Sequence, residues 1–152
     1  MSKYIIITVV TYILMEGVTW FTHKYIMHGL LWYFHEDHHD PRKKPHPFFE
    51  RNDVFFLIFA IPSMTMFLIG TLYPEYAYLN AIAAGITLYG LTYFIIHEVL
   101  IHRRFKFMDK FRDFPYFKGL IRAHKAHHKH LGKEDGECFG LLYVPKKFFK
   151  QQ

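Results

Sequence analysis

Residues 4–22, 54–73 and 76–96 form three apolar stretches of 19, 20 and 21 residues, and Glu16 is the only charged side chain in any of them. A helix needs about 20 predominantly apolar residues to cross a hydrocarbon core roughly 30 Å thick, so each stretch is long enough to span a bilayer. Lipid offers no hydrogen bonds to an open backbone, which restricts the stretches to helices. With 152 residues there is room for one domain, 1–152, and no more. The expected fold is an all-α integral membrane protein of about three transmembrane helices. A fourth span is left open around residues 107–121.

Between and after these stretches lie the polar residues, in two blocks that hold most of the histidines. His23 and His28 make one HxxxxH pair, and His35, His38 and His39 follow as HxxHH. The same order returns in the second half, with His97 and His102, then His124, His127 and His128. Ten of the twelve histidines therefore fall into four clusters, a repetition that scattered surface histidines would not produce. On a helix, residues at i, i+3 and i+4 share a face, so each HxxHH can aim several imidazoles at one point and serve as half of a metal site. The i, i+5 pairs lie about 140° apart and roughly 7.5 Å along an ideal α-helix, which suits two metals or a helix end that unwinds locally. Ten nitrogens exceed what one ion accepts, so two neighbouring metals are expected. Cys138 is the single cysteine, which excludes an internal disulfide and any cysteine-based zinc or iron–sulfur framework.

The net charge of +6 invites a nucleic-acid reading, but the cations share segments with the histidines and adjoin the apolar runs. Residues 103–152 carry 13 of the 19 lysines and arginines, while the turn at Pro74 and Glu75 has none. By the positive-inside rule the amino terminus lies outside and both histidine blocks lie on the cytoplasmic side, with no nucleic-acid partner. The first stretch has no small-residue cleavage site and is read as a retained span. Glu16 within it is costly in lipid and needs a partner. It serves as an acceptor near the metal site, as a polar substrate contact, or is satisfied by another buried side chain. A short helix from about Leu30 should carry the first HxxHH until Asp40-Pro41, and Pro62 is placed to kink the second span. Gly85 and Gly90 leave room for close helix packing. His46, between prolines, reads as a solvated loop residue. Residues 114–131 read as an interfacial amphipathic helix, with the carboxy-terminal tail lying on the bilayer surface.

The stretches HKYIMHG and HEDHH, LYGLTYFIIHEVLIHRR, AHKAHH and GKEDGECFGLLYVP, in that order, resemble the bacterial β-carotene hydroxylases of the membrane fatty-acid hydroxylase superfamily. The resemblance covers nearly the whole chain. It implies a non-haem di-iron centre held by His23, His28, His35, His38, His39, His97, His102, His124, His127 and His128. It also implies dioxygen as co-substrate and hydroxylation of β-carotene through β-cryptoxanthin to zeaxanthin. Zinc can occupy such sites in purified protein, because affinity order does not protect iron. The expected partners are the carotenoid, membrane lipid, and an external electron donor such as ferredoxin with its reductase. The plant members' transit extension has no counterpart here, so the expected home is a bacterial inner membrane. A polyene dissolved in the bilayer must reach the metals from below, and Glu16, Trp20, Met27, Tyr89 and Tyr93 are placed to line its path. The same scaffold also supports fatty-acid or sterol hydroxylases and desaturases. A metal transporter is disfavoured, because nearly all the histidines lie beyond the spans.

Overall fold

The computed structural model describes residues 2–40, 48–132, 134 and 136–150; His46 and its expected loop lie outside them. Among the described residues there is no strand. Five α-helices form the frame: α1 (Ser2–Phe21), α2 (Trp32–His39), α3 (Phe55–Leu72), α4 (Tyr78–Tyr93) and α5 (Pro115–His127). Counting their continuations, Ser2–Leu30, Arg51–Leu72 and Tyr78–Ile101 are long and apolar enough to cross a membrane. The fourth span left open around 107–121 is not there. That region is a single 3₁₀ turn, Asp109–Phe111, followed by the start of α5 at Pro115.

Helix α4 packs between α1 and α3, and small residues make the contact. A Cβ on Gly85 would sit 2.6 Å from Thr11 Cβ and 2.7 Å from the Thr8 carbonyl oxygen, so α1 and α4 meet backbone to side chain at this point. Gly90 faces open space and does not share that role, contrary to expectation. Buried polar groups then join the helices, as they must where water is absent. Thr8 Oγ1 donates to the Ala81 carbonyl (3.0 Å), Ser63 Oγ to the Ala83 carbonyl (3.1 Å) and Asn80 Nδ2 to the Gly70 carbonyl (3.0 Å). α3 continues through Pro62 from Phe55 to Leu72.

At the histidine-bearing end, the first and third spans change their winding. Thr22–Leu30 and Phe94–Ile101 are π-helical, with hydrogen bonds from Leu31 N–H to the Ile26 carbonyl (2.7 Å) and from His102 N–H to the His97 carbonyl (2.9 Å). An i→i+5 bond stacks residue i+5 over residue i. The HxxxxH pairs, which an α-helix would splay apart, are thereby brought onto one face. Gly29 leaves helical geometry (φ −123°, ψ −105°) and ends the first span, so that α2 can fold back across its end. Extended geometry at Asp40 stops α2 ahead of Pro41.

The segment after the third span packs one apolar face against the rest of the protein. Leu120 and Ala123 of α5 are buried with Val144, against Ile96, Ile101, Phe117 and Phe148. Phe139, Leu141 and Val144 of the carboxy-terminal stretch are likewise buried. This helix and tail form a packed layer over the end of the spans, driven by burial of one apolar face, while Phe114, Tyr116, Leu131 and Tyr143 remain exposed.

Candidate metal centre

All ten clustered histidines meet at one end of the three spans, and they sort into two groups. His23, His28, His35, His39 and His127 each place one ring nitrogen within 4.8 Å of all the others. His38, His97, His102 and His124 do the same, and His128 reaches this second group through a 2.7 Å contact between its Nε2 and that of His124. The groups abut: the His39 and His128 rings stack with centroids 4.2 Å apart. The expectation that each HxxHH forms one half-site is corrected. His35 and His39 face the first group while His38 turns to the second, and His127 faces the first while His124 and His128 turn to the second. Each HxxxxH pair stays together.

Hydrogen bonds fix which nitrogen points inward for six of the rings. His23 Nδ1–H donates to the Phe139 carbonyl (2.9 Å), His28 Nδ1–H to the Leu131 carbonyl (2.9 Å) and His127 Nδ1–H to the Glu137 carbonyl (3.1 Å). His35 Nδ1–H donates to Asn52 Oδ1 (2.7 Å). In the second group the acceptors are carboxylates, Glu50 Oε2 for His38 (2.9 Å) and Glu98 Oε1 for His97 (2.6 Å). Arg104 ties this acidic side together, at 3.1 Å from Glu98 Oε2 and 3.0 Å from Asp53 Oδ1. A neutral imidazole that donates from Nδ1 carries a lone pair, not a proton, at Nε2.

Those lone pairs face one another. His28 and His127 both donate to carbonyls, yet their Nε2 atoms are 3.1 Å apart. The Nε2 atoms of His23 and His39 each lie 3.1 Å from that of His35. Protonation does not relieve the contact: burial, reinforced by neighbouring histidines, holds His127 down to about 3 and pushes His35, His38, His39 and His124 below the usual histidine range as well. His97 Nε2 is buried with no hydrogen-bond partner. A metal cation resolves all of these at once. Two ligands at right angles around an ion about 2.1 Å away are ~3.0 Å apart, against ~3.4 Å for a tetrahedron. The observed 3.1 Å edges fit five or six nitrogen and oxygen ligands. Neutral imidazole is also the form that ligates, so the lowered pKa values favour binding.

The chain matches the fatty acid hydroxylase family over residues 8–148. It belongs to that family. It is 41% identical over 143 residues to the "Beta-carotene hydroxylase" of Pseudescherichia vulneris, covering 93% of this chain and 77% of that one. The protein of the same name from Pantoea ananas is 42% identical over 145 residues, covering 92% and 77%. The chloroplastic "Beta-carotene hydroxylase 1" of Capsicum annuum is 35% identical over 137 residues, covering 88% of this chain and 41% of that longer one. No solved structure matches the chain.

The remaining expected positions are dispersed. Tyr93 lines a narrow cavity that touches His23 of the first group and His97 and His124 of the second, with Ile101, Leu120, Phe139, Leu141 and Val144 as apolar wall. Met27 is buried, and Trp20 is exposed on the outer side of the first span beside Tyr25. Tyr89 and Glu16 are joined to each other: Tyr89 donates its hydroxyl to Glu16 Oε2 at 2.6 Å. The acceptors behind the rings escaped the sequence reading. Glu98 had a signal in its place beside His97, but Glu50 and Asn52 had none.

Proposed function

We propose that this protein is a membrane-embedded carotenoid ring hydroxylase that takes β-carotene through β-cryptoxanthin to zeaxanthin, using dioxygen, two iron ions and electrons from a separate ferredoxin-type donor. The observation that carries the reading is the pair of abutting imidazole groups reached by one apolar cavity at the end of the membrane spans. The names of the bacterial relatives supply the substrate class. Iron, when bound, supplies the oxidising power that an unactivated ring carbon–hydrogen bond demands.

The chain's own residues do the rest. Six of the ten histidines, His23, His28, His35, His38, His97 and His127, keep their Nδ1 protons engaged with carbonyls, Asn52, Glu50 or Glu98, so the orientation of those rings is set before metal arrives. Tyr93, Ile101, Leu120, Leu141 and Val144 form the apolar wall of a narrow cavity beside the histidine rings, which has to widen before a substrate ring can enter it. Of the five proposed substrate positions, Tyr93 is the one on this wall; Met27 stands deeper, and Trp20 meets lipid and the approaching polyene. Arg122 and Lys125 on α5, the helix that carries His124, and Lys129 just after it are exposed and form the basic face on which an acidic electron carrier docks. The metal end faces the cytoplasm of a bacterial inner membrane.

Expression in a bacterial host that accumulates β-carotene tests the proposal. Monohydroxy and dihydroxy products should appear, and iron chelation should prevent them. Unchanged carotene together with new hydroxyl groups or double bonds in host fatty acids would sink the carotenoid assignment.

A further inference from the structure

We infer that residues 137–143 are a strap that positions the ligands of one metal only, the first group's, and that Glu16 is its anchor. Glu16 Oε1 accepts three backbone N–H bonds in a row, from Leu141 (2.9 Å), Leu142 (2.9 Å) and Tyr143 (3.0 Å), across 125 to 127 residues of sequence. Its other oxygen is held by the Tyr89 hydroxyl on α4. A carboxylate inside a span is thus bound by four donors.

What the anchored stretch does lies just upstream. The Phe139 carbonyl receives the His23 Nδ1 proton and the Glu137 carbonyl receives that of His127, while the Phe139 ring packs edge-on against His23, His28 and His127. Between the two carbonyls Cys138 adopts φ 61°, a conformation that side-chain-bearing residues rarely take. That turn aims both carbonyls at the ligand rings, and it persists because the residues after it are tied down. Gly140 is needed for the same closeness: a Cβ there would lie 2.6 Å from Glu16 Oε1. Phe139 and Leu141 of the strap share a cavity wall with His97 and His124 of the second group, but the acceptors identified behind that group's rings lie elsewhere. His38 and His97 are backed by Glu50 and Glu98, on the opposite flank.

Glu16 is therefore a positioning residue, and its effect should be one-sided. The inference rests on reading the histidines as a two-metal centre, so it is tested in full-length protein reduced to a single site. His102→Ala/His124→Ala leaves the first group, and His23→Ala/His28→Ala leaves the second. Cobalt(II) affinity is measured by chelator competition in each background. Glu16→Ala should weaken binding about 10–100-fold in the first background, the usual effect of losing a ligand's supporting partner, and leave the second unchanged. Glu16→Gln, which keeps one acceptor oxygen, should fall between, and Gly140→Ala should reproduce the one-sided loss by pushing the strap off the carboxylate. These two decide the matter if Glu16→Ala does not accumulate. Equal losses in both backgrounds, or none in either, overturn the inference. Failure of the unsubstituted protein to bind two ions would instead overturn the metal-centre reading.

Discussion

Asn52 offers the sharpest test of the tautomer argument. His35 is the hub of the first group, with two other Nε2 atoms at 3.1 Å, and its Nδ1–H has Asn52 Oδ1 as its acceptor at 2.7 Å. Both side chains are buried, at 1% and 8% exposure, so water cannot replace the lost acceptor. Asn52→Leu should leave a buried N–H unsatisfied, at about 1–3 kcal/mol. Independently, loss of a ligand's supporting partner lowers metal affinity about 10–100-fold, which converts to about 1.4–2.7 kcal/mol. The two routes agree in size. Chelator competition on detergent-solubilised protein would measure the affinity, and pigment analysis the turnover. Asn52→Asp keeps an oxygen acceptor and should bind metal nearly as well as the unsubstituted protein. If Asn52→Leu retained full affinity, the hydrogen bond would not be setting the ring, and the lone-pair reading of the 3.1 Å contacts would fail with it.

Replacing His35, His39, His124 or His128 by Ala should abolish hydroxylation while the protein still inserts, whereas exposed His130→Ala should be mild; metal content and product analysis check both. Gly85→Leu should lower thermal stability by about 1–3 kcal/mol through collision with Thr8 and Thr11, and Gly90→Leu should not, as thermal unfolding in detergent would report. Metal-stripped protein should lose stability as pH falls below about 6.5. In that range unfolded histidine takes a proton while buried His127 stays neutral down to about 3, costing about 1.4 kcal/mol per pH unit for this group alone. Thermal melts between pH 8 and pH 4 should show that slope, and a flat profile would contradict the burial of neutral rings.

The spans and the four histidine clusters were legible because both are local. Three uncharged runs of membrane length and four spaced histidine clusters need no knowledge of what packs where. The division of labour inside each HxxHH was not legible. On α2, His38 and His39 lie about 100° apart, on either side of the direction of His35. Which of them joins which metal depends on what stands opposite, His127 of α5 or His97 of the third span. Glu16 was recognised as a side chain in need of a partner, but its partners lie 73 to 127 residues away, beyond any spacing rule. The tail read as membrane-surface material because it is glycine-broken, then apolar, then basic. Only the folded chain shows that Phe139 and Leu141 sit beneath the histidines.

The two π-helical turns set a phase. An extra residue held within a turn rotates everything after it by about 100° relative to an uninterrupted α-helix. Below His23 and His97, each span can present to lipid whichever stripe of side chains best suits the bilayer. Above them, the same helix can present to the metals whichever face chemistry requires. The lipid-facing and site-facing surfaces of one continuous span are thereby uncoupled. Substitutions that retune the membrane stripe need not turn a ligand, and the ligand set need not follow when the stripe drifts.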